Sequence, residues 1–160
     1  MVSIEYLKNA EIFDSLTDEE LAKILPCCEE ITLGKNTPIF MEKDPAEFFY
    51  TLTEGTVSVR YKLPFKNSND EQTIASISSG SAFGWSSLQP SRSYTLSAYC
   101  VDDICKAVRI NQKDLFEIFE NNHSIGYKVM KNLARLVGKR FAALQDEFAK
   151  LDGQDALDGW

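Results

Sequence analysis

The sequence predicts an α+β fold: a mainly-β roll (double-stranded β-helix or jelly roll) of about eight strands, flanked by N-terminal helices and a long C-terminal helix. Three observations predict it: a helix-start motif near Thr17, short alternating apolar runs between residues 29 and 110, and apolar residues at helical spacing after residue 123. The predicted units are N-terminal helices at 1–28, the β-roll at 29–110, C-terminal helices at 111–151 and a flexible tail at 152–160.

The composition favours one ordinary globular core. The chain has 160 residues, of which 44% are hydrophobic and 26% charged, which leaves room for a single full-sized domain. Its net charge of −7 repels DNA at long range. No apolar run approaches membrane-spanning length and no signal peptide opens the chain, so we expect a cytoplasmic protein that does not enter a membrane.

A capping box marks the start of an early helix. Thr17 is followed three residues later by Glu20, and the two can satisfy each other's backbone N–H groups. Leu21 and Ile24 then form an apolar stripe, and Pro26 limits the helix. We expect this segment to dock onto a sheet.

The central segment alternates between apolar and polar residues, as strands with one buried face do. Turn residues such as Gly55 and Gly80 separate the runs. The polar segment from Pro64 to Glu71 predicts a long hairpin loop. The clearest alternating sets are Phe48, Tyr50 and Leu52, then Val57, Val59 and Tyr61, and finally Tyr94, Leu96 and Ala98.

Two helices are predicted to close the chain. Asn111 can cap the first, and the second is expected from about Ser124 to about Leu151. Apolar residues of the second follow a heptad pattern, which predicts a homodimeric coiled coil; folding back onto the roll is the alternative. The pattern comprises Met130, Ala134, Val137, Phe141, Leu144, Phe148 and Leu151, and the predicted dimer contacts are Ala134, Val137, Phe141, Leu144 and Phe148.

The four cysteines do not predict a metal centre. Cys27 and Cys28 are adjacent, and Cys100 and Cys105 lack the close spacing of zinc ligands. We therefore expect four reduced, mostly buried thiols and no metal or other resident cofactor. The single histidine, His123, offers no Ser-His-Asp or Cys-His set, so we expect no enzymatic activity.

The order of elements resembles the cyclic-nucleotide-binding domain of the catabolite-activator type, over roughly residues 5–145. The segment 42–59 looks like the turn and strand signature of that family, although Lys43 stands where glycine is usual. The segment 79–84 resembles the approach to the family's phosphate-binding cassette. The resemblance implies that a short helix after Gly84 presents free N–H groups to a phosphate.

The cassette of this sequence departs from the family pattern. The resemblance implies an acidic residue after the glycine, which accepts a ribose hydroxyl, but Trp85 stands there and indole only donates. It also implies a phosphate-binding arginine. One register makes Arg92-Ser93 that pair, and the other places Thr95 at the arginine position, with Arg92 three residues upstream.

The predicted ligand contacts combine this cassette with one residue of the long helix, which in the family covers the ligand. They are Phe83, Gly84, Trp85, Ser86, Ser87, Arg92, Ser93, Thr95 and Arg140.

The resemblance implies a stand-alone regulatory sensor domain that binds a small, anionic ligand and signals through its C-terminal helix. Because Trp85 replaces the acidic residue that accepts the ribose hydroxyl, we do not expect ordinary binding of cyclic AMP or cyclic GMP. Because nine residues follow Leu151, we expect no DNA-binding helices here and an output through a protein partner. The alternatives are a ligand-free dimeric interaction module and a pocket remodelled by Trp85, Tyr94 and Phe141 for an aromatic or haem-like ligand.

Overall fold

The computed structural model describes the backbone of residues 1–62, 71–89 and 92–158, and side chains as far as residue 154 within those ranges. Its α-helices are α1 (Ile4–Asn9), α2 (Asp18–Ile24), α3 (Gln112–Asn121) and α4 (His123–Asp158). Its strands are β1 (Cys28–Gly34), β2 (Pro38–Phe40), β3 (Phe48–Glu54), β4 (Val57–Lys62), β5 (Glu71–Ile77), β6 (Ala82–Phe83), β7 (Ser97–Cys100) and β8 (Ile104–Asn111). Three short 3₁₀ helices span Glu11–Phe13, Leu25–Cys27 and Trp85–Leu88.

The strands form two four-stranded antiparallel sheets, which confirms the predicted β-roll. One sheet has the order β1-β8-β3-β6 and the other β2-β7-β4-β5. Most of the predicted loop from Pro64 to Glu71 lies outside the described residues.

The sheet that contains β8 is buried on both faces. Ala107 and Leu52 pack toward the second sheet, whereas Val108, Ile110 and Phe49 pack against the helices. Successive strand residues point to opposite faces, so one strand can serve both cores. The helices therefore pack against the outer face of this sheet.

The predicted helix starts are confirmed by their capping bonds. The Thr17 Oγ1 accepts from the Glu20 N–H at 3.2 Å, and the Glu20 carboxylate accepts from the Thr17 N–H at 2.9 Å. The Asn111 side chain accepts from the backbone N–H groups of Lys113 and Asp114. Each cap satisfies donors that the first helical turn leaves free.

Helix α4 continues beyond the end that the sequence predicts. It ends at Asp158 rather than at about Leu151, so residues 152–158 are helical; the flexibility of the tail stays a prediction. A single glycine such as Gly153 costs an exposed helix only about 1 kcal/mol, which does not terminate it. Residues 159–160 lie outside the described part of the chain.

The N-terminal segment holds the first part of α4 through polar contacts. Asn132 is buried and its Nδ2 donates to the carbonyl oxygens of Ile12 at 3.0 Å and Asp14 at 2.8 Å. Lys128 pairs with Glu20 at 2.8 Å. These contacts join α4 to the helices that precede the roll.

The cysteine prediction is wrong for one pair. Cys100 ends β7 and Cys105 lies in β8, and the structure joins them in a disulfide with a Cα–Cα distance of 5.8 Å. That distance is ordinary for a disulfide. The sequence spacing did not reveal it, because only the turn between the two strands brings the residues together. Cys27 and Cys28 are free thiols.

No helix of the described residues is both long enough and apolar enough to cross a membrane.

Candidate functional site

The cassette turn is built around Gly84. It follows β6 with a φ of 76°, and the 3₁₀ helix Trp85–Leu88 begins directly after it. A Cβ added at Gly84 would lie 2.9 Å from the Tyr50 Cδ2, so the turn requires glycine for its space as well as its φ. The Ser87 hydroxyl closes the turn by donating to the Gly84 carbonyl oxygen at 3.0 Å.

A cavity of about 330 Å³ lies between this turn, strands β4 and β5, the segment just before β7 and helix α4. Its volume falls at the lower end of the range for small-molecule sites. Most of its wall is apolar. The apolar side chains include Phe40, Val59, Ile74, Phe83, Leu96 and Leu144.

Trp85 and Arg140 form one side of the cavity together. The Arg140 guanidinium lies over the indole, 4.7 Å from the ring centroid. Its Nη2 donates to the Ser81 Oγ at 3.3 Å and to the Ala82 carbonyl oxygen. Trp85 lines the cavity and does not fill it, and Arg140 ties helix α4 to the cassette.

Burial lowers the pKa of Arg140 to about 10, and the charge of Glu11 opposes this shift. The guanidinium stays protonated at neutral pH, because its pKa remains well above 7. Among the described residues, no carboxylate oxygen lies within 4.0 Å of it. The cavity therefore contains a partly desolvated positive charge without a close counter-ion.

The family model described as the cyclic nucleotide-binding domain matches residues 30–122, which is more than half of the chain. The chain belongs to the cyclic nucleotide-binding domain family. The resemblance seen in the sequence is confirmed. A comparison with curated protein sequences finds no significant match.

Several solved structures match over most of the chain. A putative cyclic nucleotide-binding protein from Geobacter metallireducens is 35% identical, with a TM-score of 0.76, over 88% of this chain and 99% of that chain. The catabolite activator protein of Thermus thermophilus is 23% identical, with a TM-score of 0.70, over 89% of this chain and 63% of its own. The sensor domain of the transcriptional regulator DNR from Pseudomonas aeruginosa is 19% identical, with a TM-score of 0.67, over 83% and 91%. The last two likenesses show the fold alone.

Lys43 occupies the position where the family resemblance implies glycine. Its φ is 75°, in the left-handed region, and its N–H donates to the Tyr94 carbonyl oxygen at 2.8 Å. A side chain in this region costs about 1 kcal/mol. The turn of the cyclic nucleotide-binding fold is thus kept without its glycine, because the surrounding hydrogen bonds hold it.

The structure brings together six of the nine predicted contact residues. The residues in the cavity wall are Phe83, Gly84, Trp85, Ser86, Thr95 and Arg140. The Thr95 Oγ1 lies 3.4 Å from the Ser86 Oγ, so two neutral hydroxyls lie together in the cavity wall. Their contact with a ligand stays a prediction.

The other three predicted residues lie outside the cavity wall. Arg92 is exposed with a φ of 49°, and its carbonyl oxygen accepts from the Ala46 N–H at 2.8 Å. Ser93 forms a β-bridge with Pro45. Ser87 is buried in the turn. In this arrangement Thr95, and not Arg92, lines the cavity, whereas the Arg92 N–H donates to the carbonyl oxygen of Gln89 at the end of the short helix.

The aromatic combination of Trp85, Tyr94 and Phe141 does not form. Tyr94 is buried and stacks on Phe40 with a centroid distance of 3.8 Å, and its hydroxyl donates to the Phe48 carbonyl oxygen at 2.6 Å. Burial also raises the pKa of Tyr94, so its phenol is neutral. Phe141 is 61% exposed. Only Trp85 of the three lines the cavity.

Sequence reasoning missed the cavity residues of the strands and assigned Leu144 to the dimer seam alone. Leu144 and Ala143 of α4 also line the cavity, as does the exposed Glu147. Ile74 and Leu96 looked like ordinary strand residues. Alternation along a strand shows that a side chain faces inward, but it does not show that space remains beside it.

Proposed function

We propose that this domain binds a small ligand in the cavity between the cassette and helix α4, and that ligand binding changes the position of α4. The observation that carries the proposal is the shared wall: Trp85 and Ser86 come from the cassette, whereas Arg140 and Leu144 come from α4. A molecule in this space contacts both elements at once. A ligand shifts a conformational equilibrium only through different contacts in the two states, and such a shared wall provides them.

We propose further that the ligand is anionic and is not an ordinary cyclic nucleotide. Arg140 is the cation in the described wall, and no carboxylate of the cassette stands ready to accept a ribose hydroxyl. In one register of the family resemblance, Thr95 stands where a guanidinium would neutralise a phosphate, and its hydroxyl lies beside that of Ser86 of the short helix. A cyclic nucleotide would leave polar groups unpaired on its sugar and its phosphate, at a cost of about 1–3 kcal/mol each.

The signal is proposed to pass through a second copy of the chain. On either side of its cavity-lining residues and between them, α4 exposes apolar side chains at heptad positions: Val137 is 37% exposed, Phe141 61% and Phe148 67%. Pairing with another α4 would cover them. Ligand-linked movement of Arg140 and Leu144 would then reach the partner, and through the dimer a further protein.

The test asks whether the cavity carries a molecule in protein purified from its own source. Native mass spectrometry is applied to the wild type, to Ala143→Trp, which places an indole in the cavity wall, and to Ala142→Trp. Ala142 is exposed, as Ala143 is, but lies outside the wall. We expect the wild type and Ala142→Trp to carry the same small molecule and Ala143→Trp to lose it.

Protein that carries no small molecule in any of the three forms would contradict the sensor proposal. It would favour the ligand-free dimeric interaction module, in which the roll serves only as a scaffold. A molecule retained equally by Ala143→Trp would show that ligand binds elsewhere on the domain.

A further inference from the structure

The apolar wall of the cavity sets the first condition on a ligand. Val59 and Ile74 face it from the strands, Leu96 from the segment before β7, and Leu144 from α4. Each polar ligand group placed against these side chains would lose its water without gaining a partner. A hydrocarbon body instead gains from leaving water, and the aromatic rings in the same wall, such as that of Phe40, can pack against a flat one. The wall therefore favours a ring system with few polar groups.

Arg140 sets the second condition. The Nη2 donates to Ser81 and Ala82, and no hydrogen bond from its Nε or Nη1 is present among the described residues. A guanidinium can form a fork of two parallel bonds with a carboxylate. The stacking on Trp85 and the two bonds to the cassette hold the side chain in place, so little side-chain freedom remains to be lost on binding.

The remaining polar groups of the wall limit the ligand to one negative charge. Ser86 and Thr95 contribute neutral hydroxyls 3.4 Å apart, and Ser76 contributes a third. Hydroxyls can serve a hydroxyl or carbonyl group but cannot neutralise a second anion. The exposed Glu147 adds a negative charge to the same wall. The mainly apolar wall thus offers one guanidinium, which can pair with one carboxylate of the ligand.

We infer that the cavity takes an amphipathic monoanion, a flat apolar ring system with one carboxylate-like group that pairs with Arg140, in preference to a sugar phosphate. The inference rests on the proposed function of the same cavity and names the chemical class of its ligand. In this inference the apolar side chains of the strands pack against the ring and Arg140 pairs with the anionic group. The Ser86–Thr95 pair forms hydrogen bonds with at most one neutral polar substituent.

The test uses two probes of the same shape, 2-naphthoate and its uncharged amide, 2-naphthamide, with cyclic AMP as a third. Isothermal titration calorimetry at pH 7 compares the wild type with Arg140→Gln and Lys139→Gln. Lys139 is the neighbouring cation, which pairs with Glu11 at 2.9 Å and lies outside the wall. We expect the wild type and Lys139→Gln to bind 2-naphthoate at least about tenfold more tightly than 2-naphthamide, as a charge-assisted pair implies.

Arg140→Gln should bind both probes equally. Retained binding of 2-naphthamide shows that this variant still has its cavity. Cyclic AMP should bind the wild type more weakly than 2-naphthoate. The inference is overturned if the amide matches the carboxylate in the wild type, if Arg140→Gln keeps the preference, or if cyclic AMP binds most tightly.

Ala143→Trp separates failure of this inference from failure of the proposed function. If both probes bind the wild type equally and Ala143→Trp weakens both, the cavity is a ligand site and only the anion assignment is wrong. If neither probe binds the wild type more tightly than Ala143→Trp, the cavity does not take such molecules, and the proposed function loses its support as well.

Discussion

The two halves of helix α4 have the same kind of sequence but opposite surroundings. In the first half, Ile125 is 1% exposed, Val129 0% and Leu136 3%, and all three belong to the buried core that α4 shares with the N-terminal helices, α3 and the roll. In the second half, Phe148 is 67% exposed and Leu151 57%. The first half is thus held by its own chain, and the second half extends beyond it.

The comparison shows that one helix carries two apolar stripes. The heptad pattern found in the sequence includes Met130 and Val137, which are 41% and 37% exposed, so it does not run along the face that the domain buries. The buried stripe runs instead through Val129, Leu133 and Leu136. Periodicity detects an apolar face, but it does not say which neighbour covers that face.

The largest expected effect is a loss of stability that differs between the two halves of α4. Leu133→Ala should lower the free energy of unfolding by about 2–4 kcal/mol, because Leu133 is only 8% exposed and its removal leaves a cavity in the core. The matched change Leu151→Ala should cost less than about 0.5 kcal/mol, as exposed positions do. Urea unfolding of dilute protein measures both. Equal costs would show that the second half is also packed within the chain.

The next effect concerns association through the second half. Phe148→Asp should weaken dimer formation at least about tenfold, because it places a charge in an apolar seam. Phe148 suits this test better than Leu144, since Leu144 also lines the cavity. Sedimentation velocity across a concentration series measures the change.

Ala149→Asp is the control for this association experiment, since it adds the same charge at the exposed neighbouring position. It should leave the dissociation constant within about twofold, as an exposed substitution away from the seam does. A wild type that is monomeric at all concentrations would rule out the dimer.

The smallest expected effect comes from the ion pair between Lys128 and Glu20, which joins the first half of α4 to α2. The hydrogen bond from Lys128 and then that from the Thr17 N–H lower the pKa of Glu20. A carboxylate with a lowered pKa stabilises the folded state above its ordinary pKa of 4.5, and this contribution is lost as the pH falls through the lowered value. Glu20→Gln keeps the capping acceptor and removes the charge.

We expect Glu20→Gln to be less stable than the wild type by up to about 1 kcal/mol at pH 7 and equally stable below about pH 3. Urea unfolding at both pH values measures the difference, with Glu19→Gln, at the exposed neighbouring position, as the control. A difference that persists at acid pH would assign the effect to packing and not to charge.

Much of the fold was predictable because its signals are local. The capping box at Thr17 and the cap at Asn111 involve residues a few positions apart, and period-2 alternation marks the strands. The disulfide and the end of α4 were not predictable in this way. Cys100 and Cys105 meet through the turn between two strands, and α4 continues through Gly153 to Asp158.

The candidate site was predictable in part. The motif around Gly84 located the cassette, and the family resemblance pointed to Arg140 on α4. The register of Arg92 and Thr95 stayed open in the sequence, because both residues lie in a turn whose path depends on its contacts with Asp44 and Ala46. The structure places Thr95 in the cavity wall and Arg92 in solvent.

The sequence by itself determined the class of fold, the helix starts, the glycine turn and the loss of a carboxylate at Trp85. These depend on backbone preferences and on the chemistry of single residues. Only the tertiary structure decided that space remains beside Trp85, that Arg140 closes one side of it, and which apolar stripe of α4 is buried. Such features arise where separate elements pack together, and packing depends on the shapes of side chains that are distant in the chain.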